Sequence, residues 1–339
     1  MVLKNNLSVL SFAAVLLLTS CSTEDRTIDG VGNLVPRTVD QDANLPAIQA
    51  NNARLHAEAS GPANGTMVVV LHGGPGGDYR YLLPCKDLAQ QGYRVVLYDQ
   101  RGSGLSQRFP KKSYTAHGAG AMDVMYDDLS AVIAHYRTSP TQKVVLLGHS
   151  WGGILASGYA GKHPDNIQGV IACEAGGLKW DDIKAYVKDS RSFKLWGELL
   201  NDAAFLDQFI TGKEDQHEVL DYKMSLLVSR NDITGEGTID PSVSWRNGAV
   251  IMDALFDVGD TYHIDFSAGL DRFKKPVLFF HSENNKAYPD TWAKQITNAY
   301  PSVRLVKVPG VGHDGIITNH KAWTETTMPA ILTYLRSLP

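Results

Sequence analysis

Short, largely apolar runs recur along the chain, at Met67–Leu71, Arg94–Tyr98, 144–147, Gly169–Cys173, 277–280 and Val303–Val308. All are rich in Val, Leu, Ile or Phe. Runs of this kind are strands buried on both faces, and they predict a mostly parallel sheet covered by helices on either side. Helix-like stretches separate most of them, but between Cys173 and Pro276 roughly a hundred residues pass without a comparable strand. Trp180–Asp189, 193–210 and 217–228 carry apolar residues at mixed spacings of three and four, the mark of helices. The expectation is a doubly wound α/β core with a helical cap inserted late, beside the strand ends.

The first residues read differently. Lys4 supplies a basic start, 7–18 an apolar run too short to span a bilayer, and Leu18-Thr19-Ser20-Cys21 a small-residue cleavage site ending in cysteine. The tetrad resembles the lipobox of bacterial lipoproteins. That resemblance implies cleavage before Cys21, acylation of its thiol and new amino group (palmitate among the acyl chains), and a protein tethered to a membrane outside the cytoplasm. Ser22 rather than an aspartate follows, so the expected place is the outer membrane of the cell envelope. From 22 to 52 the chain is polar with scattered Gly and Pro and is expected to be a flexible tether. The expected division is a signal peptide over 1–21, the tether over 22–52, a catalytic domain over 53–176 and 264–339, and a cap over 177–263.

Composition narrows the chemistry. A formal net charge of -4 with no Lys/Arg block excludes a nucleic-acid footprint. With Cys21 set aside, only Cys85 and Cys173 remain, too few for a disulfide framework, and Cys173 in its apolar run reads as a buried free thiol. None of the histidines stands at metal-ligand spacing, so neither a metal nor another cofactor is expected.

The strongest chemical signal is Gly148-His149-Ser150-Trp151-Gly152, the G-x-S-x-G elbow, with an apolar strand before it and a helical stretch after. Side chains at the two glycines would collide with neighbouring strand and helix, and the strained turn holds Ser150 exposed at a helix N-terminus, where negative charge is favoured. After Met67–Leu71 comes His72-Gly73-Gly74-Pro75-Gly76-Gly77, whose backbone near Gly73 and Gly74 is expected to share an oxyanion with the N–H of Trp151. It lacks the Gly-Lys-Ser/Thr ending of a phosphate-cradling loop. Near the C-terminus His313 sits in the loop Pro309-Gly310-Val311-Gly312-His313-Asp314-Gly315 and follows the nucleophile, as a general base of this fold does.

Together, the HGGPGG run, Asp99-Gln100-Arg101-Gly102-Ser103-Gly104-Leu105-Ser106 and the GHSWGG run resemble the proline iminopeptidase group of α/β hydrolases. The resemblance implies an α/β-hydrolase fold with its cap between the sixth and seventh core strands. It also implies a serine hydrolase working through an acyl-enzyme, and release of an N-terminal residue, typically proline, from short peptides. Cap carboxylates would hold the substrate's ammonium group. The insertion offers Asp181, Asp182, Glu198, Asp202, Glu214, Asp215 and Glu218, none alignable to that role. A carboxylesterase or amidase on the same scaffold is the alternative, and a non-catalytic binding lipoprotein a further one.

One position departs from the group. Where its acid normally stands, after the strand 277–280, the chain reads His281-Ser282-Glu283-Asn284-Asn285. Three candidates remain to partner His313. Glu174 closes the strand Gly169–Cys173, a position similar to that of the acid in pancreatic lipases. Glu283 lies two residues before the vacated site. Asn285 ranks third, because an amide orients an imidazole without supplying charge.

Overall fold

A computed structural model describes residues 34–190, 217–227, 234–235 and 244–339. Cys21, the start of the expected tether and the expected helix over 193–210 lie outside the described residues.

Eight strands form one sheet: β1 (Ala47–Ala50), β2 (Ala53–Ser60), β3 (Met67–Leu71), β4 (Arg94–Tyr98), β5 (Val144–His149), β6 (Gly169–Cys173), β7 (Val277–Ser282) and β8 (Val303–Val308). Their order is β1-β2-β4-β3-β5-β6-β7-β8. The pairs from β4 through β8 are parallel, whereas β1–β2 and β2–β4 are antiparallel. Side chains alternate faces along each strand. Val68 and Val70 accordingly fall in one core while Met67, Val69 and Leu71 fall in the other, and all five are buried. The edge strand β8 keeps Arg304 and Lys307 exposed, charges that discourage edge-to-edge pairing.

The order reverses around β3, which lies between β4 and β5. Ligands of open α/β sheets bind at such a switch point, beyond the carboxyl ends of the strands. The HGGPGG loop leaves β3 and the serine elbow leaves β5 there.

The insertion lies between β6 and β7 and includes the helices Trp180–Asp189, His217–Leu227 and Ala249–Tyr262. Its two ends meet: Trp180 N–H donates to Ile264 O at 3.0 Å and Phe266 N–H to Leu178 O at 2.7 Å. Cys85 and Cys173 are both free and buried.

The expected tether requires correction from residue 34 onward. Val35 and Val39 are buried, and β1 pairs antiparallel with β2. Leu34 N–H donates to Glu218 Oε1 at 2.9 Å, and Pro36 O accepts from the Arg246 guanidinium at 2.8 Å. A four-residue edge strand and two isolated valines are too little periodicity to show in a polar stretch, yet they suffice once a sheet edge and a cap surface receive them.

Candidate active site

Ser150 occupies the turn between β5 and the helix Trp151–Lys162 at φ 53, ψ -122, a left-handed conformation that a side chain rarely adopts. The turn is held from below, since Ser150 N–H donates to Cys173 O at 2.8 Å. A Cβ on Gly148 would stand 2.1 Å from Gly152 O, and one on Gly152 2.1 Å from Leu71 O. No side chain fits at either position, which is why both flanks of the elbow are glycine.

His313 meets Glu174. Its Nδ1 lies 2.6 Å from Glu174 Oε2. Glu174 is fully buried just past the end of β6, with φ 44 and its N–H on Phe280 O. Ser282 donates to Glu174 Oε1 from both its N–H, at 2.6 Å, and its hydroxyl. Asn285 Nδ2 donates to Oε2 at 2.8 Å. Burial alone would raise the pKa of this carboxyl. The hydrogen bond and charge of His313, with the Ser282 donors, outweigh burial and hold it below the ordinary value. Tyr186 adds its hydroxyl 3.2 Å from both His313 Nδ1 and Asn285 Nδ2.

The other two acid candidates are therefore not equivalent. Glu283 does not partner His313: it is exposed, and its carboxylate accepts from Gly310 N–H at 2.8 Å. The strand β7 continues to Ser282, so residue 283 points out beside the start of the base loop. Asn285 is an amide that braces Glu174 rather than the imidazole.

The loop after β3 also differs from expectation at one residue. Gly73 N–H donates to the Tyr81 hydroxyl at 2.7 Å, so it is an engaged donor and not part of an open oxyanion pair. Gly74 N–H and Trp151 N–H have no partner among the described residues. Gly73 still needs to be glycine, since a Cβ there would stand 3.0 Å from Ser150 Cβ.

The aspartate-to-glycine run after β4 builds the floor of this loop. Asp99 accepts from Tyr79 N–H, Leu105 N–H and His56 Nδ1, all within 2.9 Å. Gln100 Nε2 donates to His72 O at 2.9 Å and its Oε1 accepts from the Trp151 indole at 3.1 Å, joining the oxyanion loop to the elbow. Arg101 grips Asp128 with two nitrogens, at 2.7 and 2.8 Å. These roles were not legible in the motif, whose residues all look equally like chemistry.

Ser150 lies on two chambers. The inner one has about 30 Å³ of free space and is walled by Trp151, Ile154, Trp180, Ile183, Tyr186 and Phe256, among others. The outer one, about 240 Å³, takes in His313, His149, Tyr81, Asp78, Asp314 and Asn247. Of the acidic cap residues named from the sequence, Asp181, Asp182 and Glu218 are described, and none lines either chamber. Glu198, Asp202, Glu214 and Asp215 lie outside the described residues.

Asp78 carries the cap. Its carboxylate accepts from Trp245 N–H and Arg246 N–H of the cap at 2.5 and 2.9 Å, and from Arg80 N–H. Burial, then the charge of Asp99, push its pKa up to about 7.

With this geometry in view, the class follows: a family model described as the alpha/beta hydrolase fold matches residues 66–320, and the chain belongs to that family. Among curated proteins it is 40% identical over 107 residues to a proline iminopeptidase of Saccharolobus solfataricus, 31% of each chain. It is 32% identical over 285 residues to a probable proline iminopeptidase of Leptolyngbya boryana, 76% of this chain and 84% of that one. The alignments with the first three curated relatives span 31%, 41% and 34% of their lengths. Epoxide hydrolase B of Mycobacterium tuberculosis is also similar, at 33% over 126 residues, 37% of this chain and 33% of its own. Among solved structures an esterase from Exiguobacterium antarcticum shares the fold at TM-score 0.54 and 21% identity, over 86% of this chain and 99% of that one.

Proposed function

We propose that the protein is a serine hydrolase that works through an acyl-enzyme, with Ser150 as nucleophile, His313 as general base and Glu174 as the acid. The observation that carries this reading is the 2.6 Å contact between His313 and a buried, ionised Glu174, on the strand ends beside the strained Ser150. His313 takes the Ser150 hydroxyl proton as the oxygen attacks a carbonyl carbon. Gly74 N–H and Trp151 N–H hold the oxyanion. The imidazolium, stabilised by Glu174, then gives its proton to the leaving group, and water repeats the sequence to release the acid.

For substrate we propose a short peptide with a small first residue, cleaved in the manner of a proline iminopeptidase. The similarity over 285 residues to a probable proline iminopeptidase supports this, as does a small inner chamber with apolar walls. Prolyl and alanyl arylamides assayed beside short acyl esters test it. Arylamide cleavage that requires a free amino group is the expected result, and ester turnover without arylamide cleavage contradicts it. A second reading, an esterase of small apolar acyl groups, is favoured by one observation: no carboxylate lines the described walls of the inner chamber to receive an ammonium group.

We also propose that Cys21 is acylated and tethers the protein to the cell envelope at the outer membrane. Cys21→Ser should leave the chain without radiolabelled fatty acid, and label retained by that variant contradicts the anchor.

A further inference from the structure

Four polar groups form a single chain across the three loops that carry the chemistry. Gly73 N–H donates to Tyr81 Oη at 2.7 Å, Tyr81 Oη lies 2.9 Å from His149 Nδ1, and His149 Nε2 lies 3.0 Å from His313 O. Gly73 belongs to the loop after β3, His149 immediately precedes the nucleophile, and His313 belongs to the loop after β8. The rings of His149 and His313 lie 4.5 Å apart, and Asp314 Oδ1 is 3.8 Å from His149 Nε2.

The proton positions follow from elimination. A backbone N–H only donates, so Gly73 uses one lone pair of the Tyr81 oxygen, and a carbonyl only accepts, so His149 Nε2 must carry the hydrogen toward His313 O and leave Nδ1 to accept the phenolic hydrogen. Burial first, then His313, push the His149 pKa down to about 4, so the imidazole is neutral in the working range. With Nδ1 accepting, Nε2 holds the hydrogen and donates to the His313 carbonyl. Every link then has one orientation. Burial likewise raises the Tyr81 pKa well above its ordinary value, which keeps the phenol a donor.

Nothing in the acyl-transfer steps uses Tyr81 or His149. Their side chains nonetheless span from the oxyanion loop to the backbone of the base. A carbonyl held at His313 fixes the height of that loop, and displacement of a catalytic group by about 1 Å costs on the order of a hundredfold in rate. We propose that Tyr81 and His149 are positioning residues: a two-member strut that sets the register of the oxyanion loop, the nucleophile and the base loop. This rests on the serine-hydrolase reading above.

The test uses the rate at which a fluorophosphonate labels Ser150, which needs nucleophile, base and oxyanion donors but no particular substrate. His149→Asn keeps an acceptor near the Nδ1 position and loses the donor at Nε2, whereas His149→Gln keeps a donor near Nε2 and loses the acceptor. His149→Asn should slow labelling roughly tenfold to a hundredfold. His149→Gln and Tyr81→Phe each break the Tyr81–His149 bond and spare the bond to the His313 carbonyl, so both should slow labelling by a similar factor, smaller than that of His149→Asn. In the double variant Tyr81→Phe/His149→Asn the losses should be non-additive, since one strut is broken twice. On any turned-over substrate kcat should fall with KM within about twofold, the pattern of a group that acts on the transition state. Should His149→Asn fail to fold by its melting temperature, Tyr81→Phe carries the test alone. Labelling within twofold of wild type for both His149→Asn and Tyr81→Phe, or equal loss for His149→Asn and His149→Gln, overturns the strut. A wild-type protein not labelled at Ser150 overturns the serine-hydrolase reading and the strut together.

Discussion

Ser150 and Glu174 stand at the ends of strands whose residues are buried on both faces, whereas the cap above them, whose Trp180, Ile183, Ile251, Leu255 and Phe256 join one apolar core, is seated over the site by backbone contacts and buried ion pairs. The difference lies in what each region tolerates. In the sheet, strand pairing and apolar packing fix the backbone, and a few side chains aim the chemistry. In the cap, Gly248 N–H donates to Gly76 O at 2.6 Å, and a Cβ on Gly248 would stand 2.0 Å from Gly102 O, so the cap rests on both glycine loops of the site. Thr234 O likewise accepts from His313 N–H at 2.9 Å. Asp221, fully buried, takes Arg108 of the core at 3.0 Å and Arg246 of the cap at 2.6 Å, and also accepts from Ala249 N–H. Sheet substitutions should therefore act on the chemical step, and cap substitutions on seating and stability.

The largest effect separates the two acid candidates. Glu174→Gln should lower kcat by roughly four powers of ten, since it removes the charge that stabilises the imidazolium, while Glu283→Gln should leave kcat near wild type. Steady-state kinetics on one substrate decides this, and the reverse pattern would move the acid to Glu283.

Asp221→Asn comes next. It leaves two buried guanidinium groups without their carboxylate, and breaking such pairs costs about 3–5 kcal/mol. Chemical denaturation should show that loss. A change under about 1 kcal/mol would mean that the cap is held by something other than these two ion pairs.

Gly248→Ala should cost about 1–3 kcal/mol through overpacking against Gly102. It should also raise KM more than it lowers kcat, because the cap moves and the strand ends do not. A fall in kcat alone would blur the division between the two regions.

The smallest effect is a slope. The Asp78 carboxyl has its pKa raised from 3.8 to about 7 in the folded state, so between those values the native protein binds the extra proton. Its contribution to stability is present at low pH and is lost as pH rises through about 7. His149, lowered to about 4, acts in the opposite sense below pH 6.5, so the useful quantity is variant minus wild type. The melting temperature of Asp78→Asn relative to wild type should climb from pH 5 to about 7 and level off above it. A flat difference would show that Asp78 is not the titrating group.

Legibility in the sequence followed the same division. The elbow, the glycine loop after β3 and the base loop are local in sequence, and glycines mark them because backbone must approach backbone there. Glu174 is visible as a carboxyl closing an apolar strand, a costly place for a charge without a partner. The donors that make it tolerable are hidden: Ser282 and Asn285 lie more than a hundred positions away. Gly73 looked like an open donor because nothing in the chain marks Tyr81, eight residues on, as its acceptor. The seat of the cap was illegible altogether, since Arg108, Asp221 and Arg246 converge only after the fold has formed.

The proposed nucleophile is Ser150, driven by His313 and Glu174. Intact-protein and peptide mass spectrometry after treatment with a fluorophosphonate tests it most directly. One phosphonyl adduct is expected on the peptide containing Ser150, absent from Ser150→Ala and formed far more slowly in Glu174→Gln. An adduct on another residue, or one that persists in Ser150→Ala, would contradict it.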